Sequence, residues 1–496
     1  MTQPHHIIIA GGGTAGWMAA NLLAHQLAAH PVRITLLESS DIATVGVGEG
    51  STPTLKQFFR ELGITDEQWM PACQATYKVG IEFRGWSPQS GIDSYRHPFI
   101  SQLDSYSERP FQVNCHTRRL GLDVTTRPDK FLFNSYLGQA GFSPSTPPNF
   151  PFRIEYGYHF DAALLGAFLK QHALHQGVEH INCTIEAAQT HPDGSLKTLI
   201  DTKGQRHSAD MFIDCTGFRG LLLQQTLKVP FEPFAANLFN NKAVVIATAA
   251  PARPQVETRS TALSSGWAWQ IPLQHRTGNG YVYSDDYLSA DAAETELRQH
   301  LRVVDGQAEA RHLSMKVGQV KQHWFKNCLA LGLAQGFIEP LEATALHLVQ
   351  LSINAFCKHY IKGNFTHQEA DAFNQYIRGQ FANVRDYIVA HYKLNTRHDS
   401  AYWVDNRNNM QLSEPLLQLL DTWYRGKDLA AHLQQRHQHS HFNSTSWHCL
   451  LAGYGTFPPL AAQQPGGADM FSEHQLATFF DGCLLNFGPP LTASVG

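Results

Sequence analysis

Six residues, Gly11-Gly12-Gly13-Thr14-Ala15-Gly16, limit what this 496-residue chain can fold into more than any other stretch. They spell G-x-G-x-x-G between an apolar run at 6–10 and a helical pattern that carries Ala19, Ala20, Leu22, Leu23 and Leu27. In that setting the first glycine permits a tight turn, the second admits a pyrophosphate to the backbone, and the third lets helix and strand close on each other. The helix N-terminus then holds the phosphate charge. A second strand is expected at 33–37, followed by Glu38, whose carboxylate can accept ribose hydroxyls and would repel the extra phosphate of NADP. Gly11, Gly13, Thr14, Ala15, Gly16 and Glu38 are therefore the expected dinucleotide contacts, on a Rossmann-like parallel sheet of the α/β class.

The segment Ala209-Asp210-Met211-Phe212-Ile213-Asp214-Cys215-Thr216-Gly217 reads as an apolar strand ending in Asp and a small turn, of the kind that runs beneath the flavin in FAD-binding folds. No second strand-linked G-x-G-x-x-G exists to seat NAD(P)H, so reducing equivalents are expected as reduced flavin made elsewhere. Between 88 and 151 prolines and aromatics break the pattern, which reads as an insertion over the sheet. The dinucleotide fold is expected to resume with a helix at 161–172 and strands at 211–215 and 267–272. Capping boxes are read at Thr65 with Gln68 and at Thr366 with Glu369, and a short helix is expected to open at Pro53. The expected organisation is a discontinuous FAD-binding module over 1–350, interrupted at about 88–151, and a mainly helical substrate-binding module over 351–496.

A net charge of −4 and no clustered Lys/Arg stripe argue against nucleic acid as a partner. The eight cysteines form no Cys-x-x-Cys pair, which favours reduced thiols over zinc ligands or a disulfide frame. With no signal peptide and no apolar stretch of about 18 residues, a soluble cytoplasmic protein is expected. The alternating histidines of His437-Gln438-His439-Ser440-His441 read as a solvated loop, and no metal is expected.

Several spaced motifs together resemble the flavin-dependent tryptophan halogenases. They are the loop 11–16 with Trp17, Gly46-Val47-Gly48-Glu49-Gly50, Tyr77-Lys78-Val79-Gly80, Trp267-Ala268-Trp269-Gln270-Ile271-Pro272, and Gly336-Phe337-Ile338-Glu339-Pro340-Leu341-Glu342-Ala343-Thr344. The Trp-x-Trp-x-Ile-Pro element is the specific one, since generic flavin monooxygenases lack it. The resemblance implies a two-component oxidoreductase that takes FAD as FADH2 from a separate NAD(P)H-dependent flavin reductase. With O2 and chloride or bromide it makes hypohalous acid and halogenates an indole-like ring. It is compatible with a homodimer, and Gly48, Glu49, Ile185 and Leu333 complete the expected cofactor set.

Residue roles follow from the same resemblance. Trp267, Trp269 and Ile271 alternate along a strand, so they project from one face as a flat aromatic wall. In the family that wall keeps the substrate from the flavin. A lysine on a half-buried strand ordinarily points its ammonium at solvent, but Lys78 matches the family's essential lysine. Its ammonium can polarise hypohalous acid, or its neutral amine can form a haloamine where burial favours the uncharged form. Glu342 matches the glutamate that accepts the ring proton or orients the halogenating species, while Glu339 is the better candidate for a plain helix cap. Halide is expected at amides around Thr344 and Ala345.

The chain departs from the tryptophan-specific members in two places. They read Glu-Ser-Thr-Gly where it has Glu342-Ala343-Thr344-Ala345, losing a hydroxyl and a glycine's freedom at positive φ. His97, Phe99 and Trp447 are the expected substrate-lining residues, yet Phe442-Asn443-Ser444-Thr445-Ser446-Trp447 lacks the tyrosine pair that helps clamp an amino acid's charged end. Tryptophan, indole and indole derivatives all remain as substrates. The rival readings are an FAD-dependent aromatic hydroxylase and a non-catalytic flavin- or indole-binding protein.

Overall fold

A computed structural model describes residues 4–41, 48–304, 308–435, 441–465 and 473–490. Gly46 and Val47 of the second glycine-rich loop, and 437–440 of the histidine run, lie outside them. The chain divides into two compact units, each drawn from three segments: Met1–Ala75, Phe160–Ala235 and Met315–Ala382 in the first, Thr76–His159, Ala236–Ser314 and Asn383–Gly496 in the second.

In the first unit the run Ile7-Ile8-Ile9 is buried on both sides, the pattern of an interior parallel strand. His5–Ala10 pairs in parallel with Met211–Asp214 on one side and Val32–Glu38 on the other. Glu179–Asn182 and Cys328–Ala330 extend the parallel ladder, and Trp324–Phe325 closes one edge antiparallel, giving six strands. Helix Thr14–Gln26 follows the first strand, as the glycine loop predicts. The capping box of Thr65 with Gln68 is formed. Pro53 is the N-cap of Thr54–Glu61 rather than its first helical residue. The second expected capping box is absent. Thr366 accepts from the Gln368 amide, but the Glu369 carboxylate turns to Lys362 at 2.8 Å and His359 at 3.2 Å, because two basic partners outbid one exposed amide.

The second unit holds a seven-stranded sheet, in the order Ala310–Ser314, Lys242–Ala249, Arg276–Tyr283, Gly266–Pro272, Glu257–Leu263, Gly80–Ser87, Ile92–Pro98. Two expectations are corrected here. The 267–272 strand does not resume the dinucleotide fold, since it is antiparallel to both neighbours in this separate sheet. The segment 88–151 is not an irregular cover: it supplies the sheet strand Ile92–Pro98 and helices including Glu108–Arg119 and Phe133–Ala140. Its prolines mark the ends of those short elements, which is why it looks structureless in sequence.

The sheet's pairing fixes two unlike faces. Trp269 opposes Ser260, Ser260 opposes Phe83, Phe83 opposes Tyr95, and Ile81 opposes His97, so Trp267, Trp269, Phe83, Tyr95 and His97 share one face. The other face carries ions: Glu82 meets Arg84 at 2.9 Å, Arg259 at 3.1 Å and Arg96 at 3.6 Å, and Arg96 meets Glu257 at 3.1 Å. Among the described residues no helix is long and apolar enough to cross a membrane, and all eight cysteines are free thiols.

Candidate active site

In the first unit the glycine loop is held by close backbone approaches. Gly11 has φ +112°, donates its N–H to Leu37 O at 2.8 Å, and has Cys215 O 2.2 Å from where a Cβ would lie. A Cβ on Gly16 would lie 2.0 Å from Gly11 O, the tight helix–strand contact its place in the motif calls for. Gly13 is the opposite case. It is the N-cap of helix Thr14–Gln26, has no side-chain cap, and has nothing within 4 Å of its Cβ position.

Glu38 lies over Gly12, where its Oε2 would overlap any added Cβ. Trp17 Nε1 donates to Oε2 at 3.2 Å, while His180 Nε2, at 3.0 Å, and Lys170 Nζ both meet Oε1. The turn Gly332–Ala334, with Leu333, packs on the loop: a Cβ on Gly332 would lie 2.7 Å from Ala15 Cβ. Ile185 is buried at the head of its strand and its carbonyl accepts from Arg219 at 3.4 Å. Gly48 is buried; Glu49 beside it is half-buried, and burial together with the neighbouring Asp161 carboxylate pushes its carboxyl up to about 7. Asp214 is spent on structure, accepting from Thr216, Leu222 and Leu223. An uncapped helix N-terminus, an open face at Gly13 and an acceptor above Gly12 fit the pyrophosphate and ribose of FAD.

Glu342 ends the 3-10 turn Pro340–Glu342 and is buried, as is Glu339. Neither Glu339 nor Thr344 caps the element it precedes through its side chain. Thr344 leads into the 18-residue helix Ala345–Lys362. Positive φ falls on Ala343, at +55°, and not on Ala345, which is the first helical residue. The concern over a glycine's freedom therefore moves two residues back from where the sequence places it.

Lys78 belongs to the second unit, on Thr76–Lys78, and is fully buried rather than reaching for solvent. Its Nζ lies 5.5 Å from the centre of the Phe99 ring, within cation–π range. Asn134 fixes the backbone on both sides, donating to Phe99 O at 2.9 Å and Glu155 O at 2.7 Å, with Val79 O at 3.4 Å. Ser101, bonded to Asn134 Oδ1 at 3.2 Å, also donates its own backbone N–H to Asp104 at 2.7 Å. Asp104 is fully buried, and burial pushes it up to about 7 against its two backbone donors.

His97 and Trp447 meet at a residue that sequence reasoning missed. Tyr387 Oη lies 3.4 Å from His97 Nε2, and its ring stands edge-on to Trp447 at 4.7 Å and stacks on Phe442 at 3.6 Å. Trp267 and Trp269 are both buried, and their rings are 6.1 Å apart and tilted by 55°. The wall is thus faceted, not flat, because neighbouring same-face positions on a twisted strand do not point in parallel. Gly280, opposite Trp269, makes room for it: a Cβ there would lie 2.1 Å from the indole.

Outside these groups, Cys183, Asp201 and His207 bring three possible metal-ligating atoms within 4.8 Å of one another. Asp201 already accepts from the Lys203 and Gln205 amides at 2.9 Å and meets His207 at 3.1 Å, which accounts for it as a turn-forming residue.

A family model described as tryptophan halogenase matches residues 6–468. The chain belongs to the tryptophan halogenase family. Members are enzymes that use FADH2, a halide and O2, with a separate flavin reductase implied. The halogenase is 34% identical over 446 residues to tryptophan 6-halogenase SttH of Streptomyces toxytricini, covering 85% of this chain and 84% of that one. It is 30% identical over 517 residues to tryptophan 7-halogenase RebH of Lentzea aerocolonigenes, covering 94% and 93%. Xcc4156, a flavin-dependent halogenase from Xanthomonas campestris, superposes with a TM-score of 0.84 at 34% identity over 98% of this chain and 97% of that chain.

Some of the halogenase's residues could have been found earlier. Tyr387 continues the helical stripe of Phe373 and Ile377 at three- and four-residue steps, so extending that stripe by three turns would have reached it. Lys170, His180 and Asn134 had no comparable signal, because their partners are distant in sequence.

Proposed function

We propose that this halogenase adds chloride or bromide to an indole ring, carried by tryptophan, indole itself or a derivative. The single observation that carries this is the strand register, which sets Trp267 and Trp269 on the same sheet face as His97 within a unit that also buries Lys78 against Phe99. Reduced FAD with O2 supplies the oxidising equivalents that turn halide into hypohalous acid. In this reading the first unit is the flavin-binding module and the second the substrate-binding module. Gly11, Gly13, Thr14, Ala15 and Gly16 hold the pyrophosphate, Glu38 the ribose, and amides at Thr344 and Ala345 the halide. Lys78 hydrogen-bonds hypohalous acid or carries its halogen as a haloamine, and Glu342 takes the ring proton or stabilises the cationic ring. His97, Phe99, Trp447 and Tyr387 supply the aromatic faces and polar edge that a flat arene with one N–H requires.

Polar groups at 442–447 support a substrate without a fixed amino-acid clamp. Asn443 accepts from Ser446 N at 2.9 Å as a helix cap, and Phe442 is stacked on Tyr387, so neither is offered to a zwitterion. The tryptophan halogenases among the relatives keep tryptophan itself as a substrate to test. We further assign the enzyme to the cytoplasm, where its free cysteines stay reduced.

The test is product analysis by mass spectrometry. Purified protein is combined with a flavin reductase, FAD, NADH, O2 and chloride or bromide, and is offered tryptophan and indole. A halogenated indole is expected, and Lys78→Ala should abolish it. No halogenated product from any indole, or product formed by Lys78→Ala at the wild-type rate, overturns the proposal.

A further inference from the structure

His159 has no part in the scheme above, yet it is fully buried on the strand Gly157–Asp161, which pairs antiparallel with the strand of Lys78. The register pairs Thr76 with His159 and Lys78 with Gly157, so Thr76 and Lys78 point to the same side as His159. His159 Nδ1 lies 3.2 Å from Thr76 Oγ1, and Nε2 lies 2.8 Å from Thr258 Oγ1. Thr76 Oγ1 also lies 2.6 Å from the carbonyl of Pro272.

One carbonyl fixes every proton in this chain. Pro272 O can only accept, so the single hydroxyl proton of Thr76 goes to it. The Thr76 oxygen can then only accept from His159, which puts hydrogen on Nδ1. Nε2 is left bare and takes the Thr258 hydroxyl proton. The imidazole is neutral in this arrangement, and burial, with Lys78 alongside, drives its pKa the same way, well below the usual histidine value. The ends of the chain are informative. Thr76 is two residues from Lys78, Pro272 ends the strand of Trp267 and Trp269, and Thr258 is on the strand paired with it.

We propose that His159 is a positioning residue for halogen transfer: as the neutral Nδ1–H tautomer it bridges Thr76 on the lysine strand, itself bonded to Pro272 of the tryptophan-wall strand, to Thr258 on the neighbouring strand Glu257–Leu263, and so sets where Lys78 meets hypohalous acid. This rests on Lys78 being the halogen-delivering group. Glutamine can reproduce both bonds, its amide N–H donating to Thr76 and its amide oxygen accepting from Thr258. Leucine can make neither and leaves two buried hydroxyls without their partner.

The experiment compares wild type, His159→Gln, His159→Leu and Lys78→Ala with a flavin reductase, FAD, NADH, bromide and indole. It reads brominated indole formed per NADH consumed and free hypobromous acid trapped by monochlorodimedone. FAD affinity and melting temperature are measured alongside. His159→Leu is expected to lose coupling by about tenfold or more, with trapped hypobromous acid rising and FAD affinity unchanged, since small misplacements of a reacting group are costly. His159→Gln is expected to recover most of the coupling. Wild-type coupling in His159→Leu, or coupling in His159→Gln as poor as in His159→Leu, overturns the proposal. If His159→Leu does not fold, Thr258→Val against Thr258→Ser makes the same comparison at Nε2, and equal coupling in those two overturns it. Lys78→Ala separates the two readings: bromination without Lys78 refutes the lysine assignment, whereas an inactive Lys78→Ala beside a fully coupled His159→Leu refutes only the positioning role.

Discussion

Gly280→Ala adds one methyl group to the strand facing the tryptophan wall, and its cost should depend almost wholly on one neighbour. The new Cβ would lie 2.1, 2.2 and 2.6 Å from Cζ2, Cη2 and Cε2 of Trp269, and nothing else is nearer. Those distances are too short for any contact, so Trp269 must tilt or the strands must part, an overpacking that costs about 1–3 kcal/mol. Against this, alanine in a strand gains about 0.5–1 kcal/mol over glycine from backbone entropy. The net expectation is a loss of about 1–2 kcal/mol. In a Trp269→Phe background the far edge of the bicyclic ring is gone, and the same substitution should become neutral or slightly stabilising. A double-mutant cycle on thermal or urea unfolding measures the difference, with a coupling of about 2 kcal/mol expected, inside the range seen for residues in contact. Equal costs of Gly280→Ala with and without the Trp269 ring would refute the packing argument. The single variant should also halogenate with poorer coupling, because the ring displaced is part of the wall.

Three further predictions follow from the geometry. Glu38→Gln keeps the shape above Gly12 but removes the charge that Lys170 meets, and FAD affinity by fluorescence quenching should fall about tenfold, as for a lost charged hydrogen bond; unchanged affinity would remove Glu38 from the cofactor set. Burial pushes His448 down to about 4, against its bond to the Ser444 carbonyl, and His323 down to about 3. Both are therefore neutral when folded at pH 5 but protonated when unfolded, so their contribution to stability is complete above about pH 6.5 and is lost as pH falls below it, at about 1.4 kcal/mol per pH unit each. His448→Gln should flatten the stability–pH slope between pH 6 and 5 by about that amount, and an unaltered slope would show that His448 does not titrate on unfolding. Ala343→Gly relieves a left-handed residue and should gain up to about 1 kcal/mol, whereas Ala345→Gly, in the helix, should gain nothing; the reverse order by calorimetry would be incompatible with the turn described.

The glycine loop and the first two strands were legible because each depends on neighbours close in sequence: a turn that only glycine permits, a helix started at once, and a buried Ile7-Ile8-Ile9 run. The alternation of Trp267, Trp269 and Ile271 likewise gave the right face. What could not be read is which sheet that strand joins, because an apolar strand is compatible with either a parallel or an antiparallel ladder, and the choice is made by partners at 257–263 and 276–283 that are recognised only once paired. The same limit hid the strand Ile92–Pro98, where Ile92 shares a face with Ser94 and Arg96 while Tyr95 shares one with Asp93 and His97, so neither face reads as apolar. Lys78 shows the converse. Its residue type argues for the surface, and its full burial depends on partners such as Phe99 that are met only in the fold.

The two faces of the seven-stranded sheet also bear on how such an enzyme can change over time. Glu82, Arg96, Arg259 and Glu257 hold three strands in order from one side, while Trp267, Trp269, Phe83, Tyr95 and His97 occupy the other. Substitutions on the aromatic face leave the ionic layer untouched, so ring preference can drift without loosening the scaffold. Insertions have no such latitude. One residue gained or lost within 266–272 would turn the indoles toward the carboxylates and Gln270 toward the rings, while a change of two would restore the sides. Length variation in this strand should therefore be tolerated only in even steps, and variants of the family with altered substrates should differ there in side chains and not in residue count.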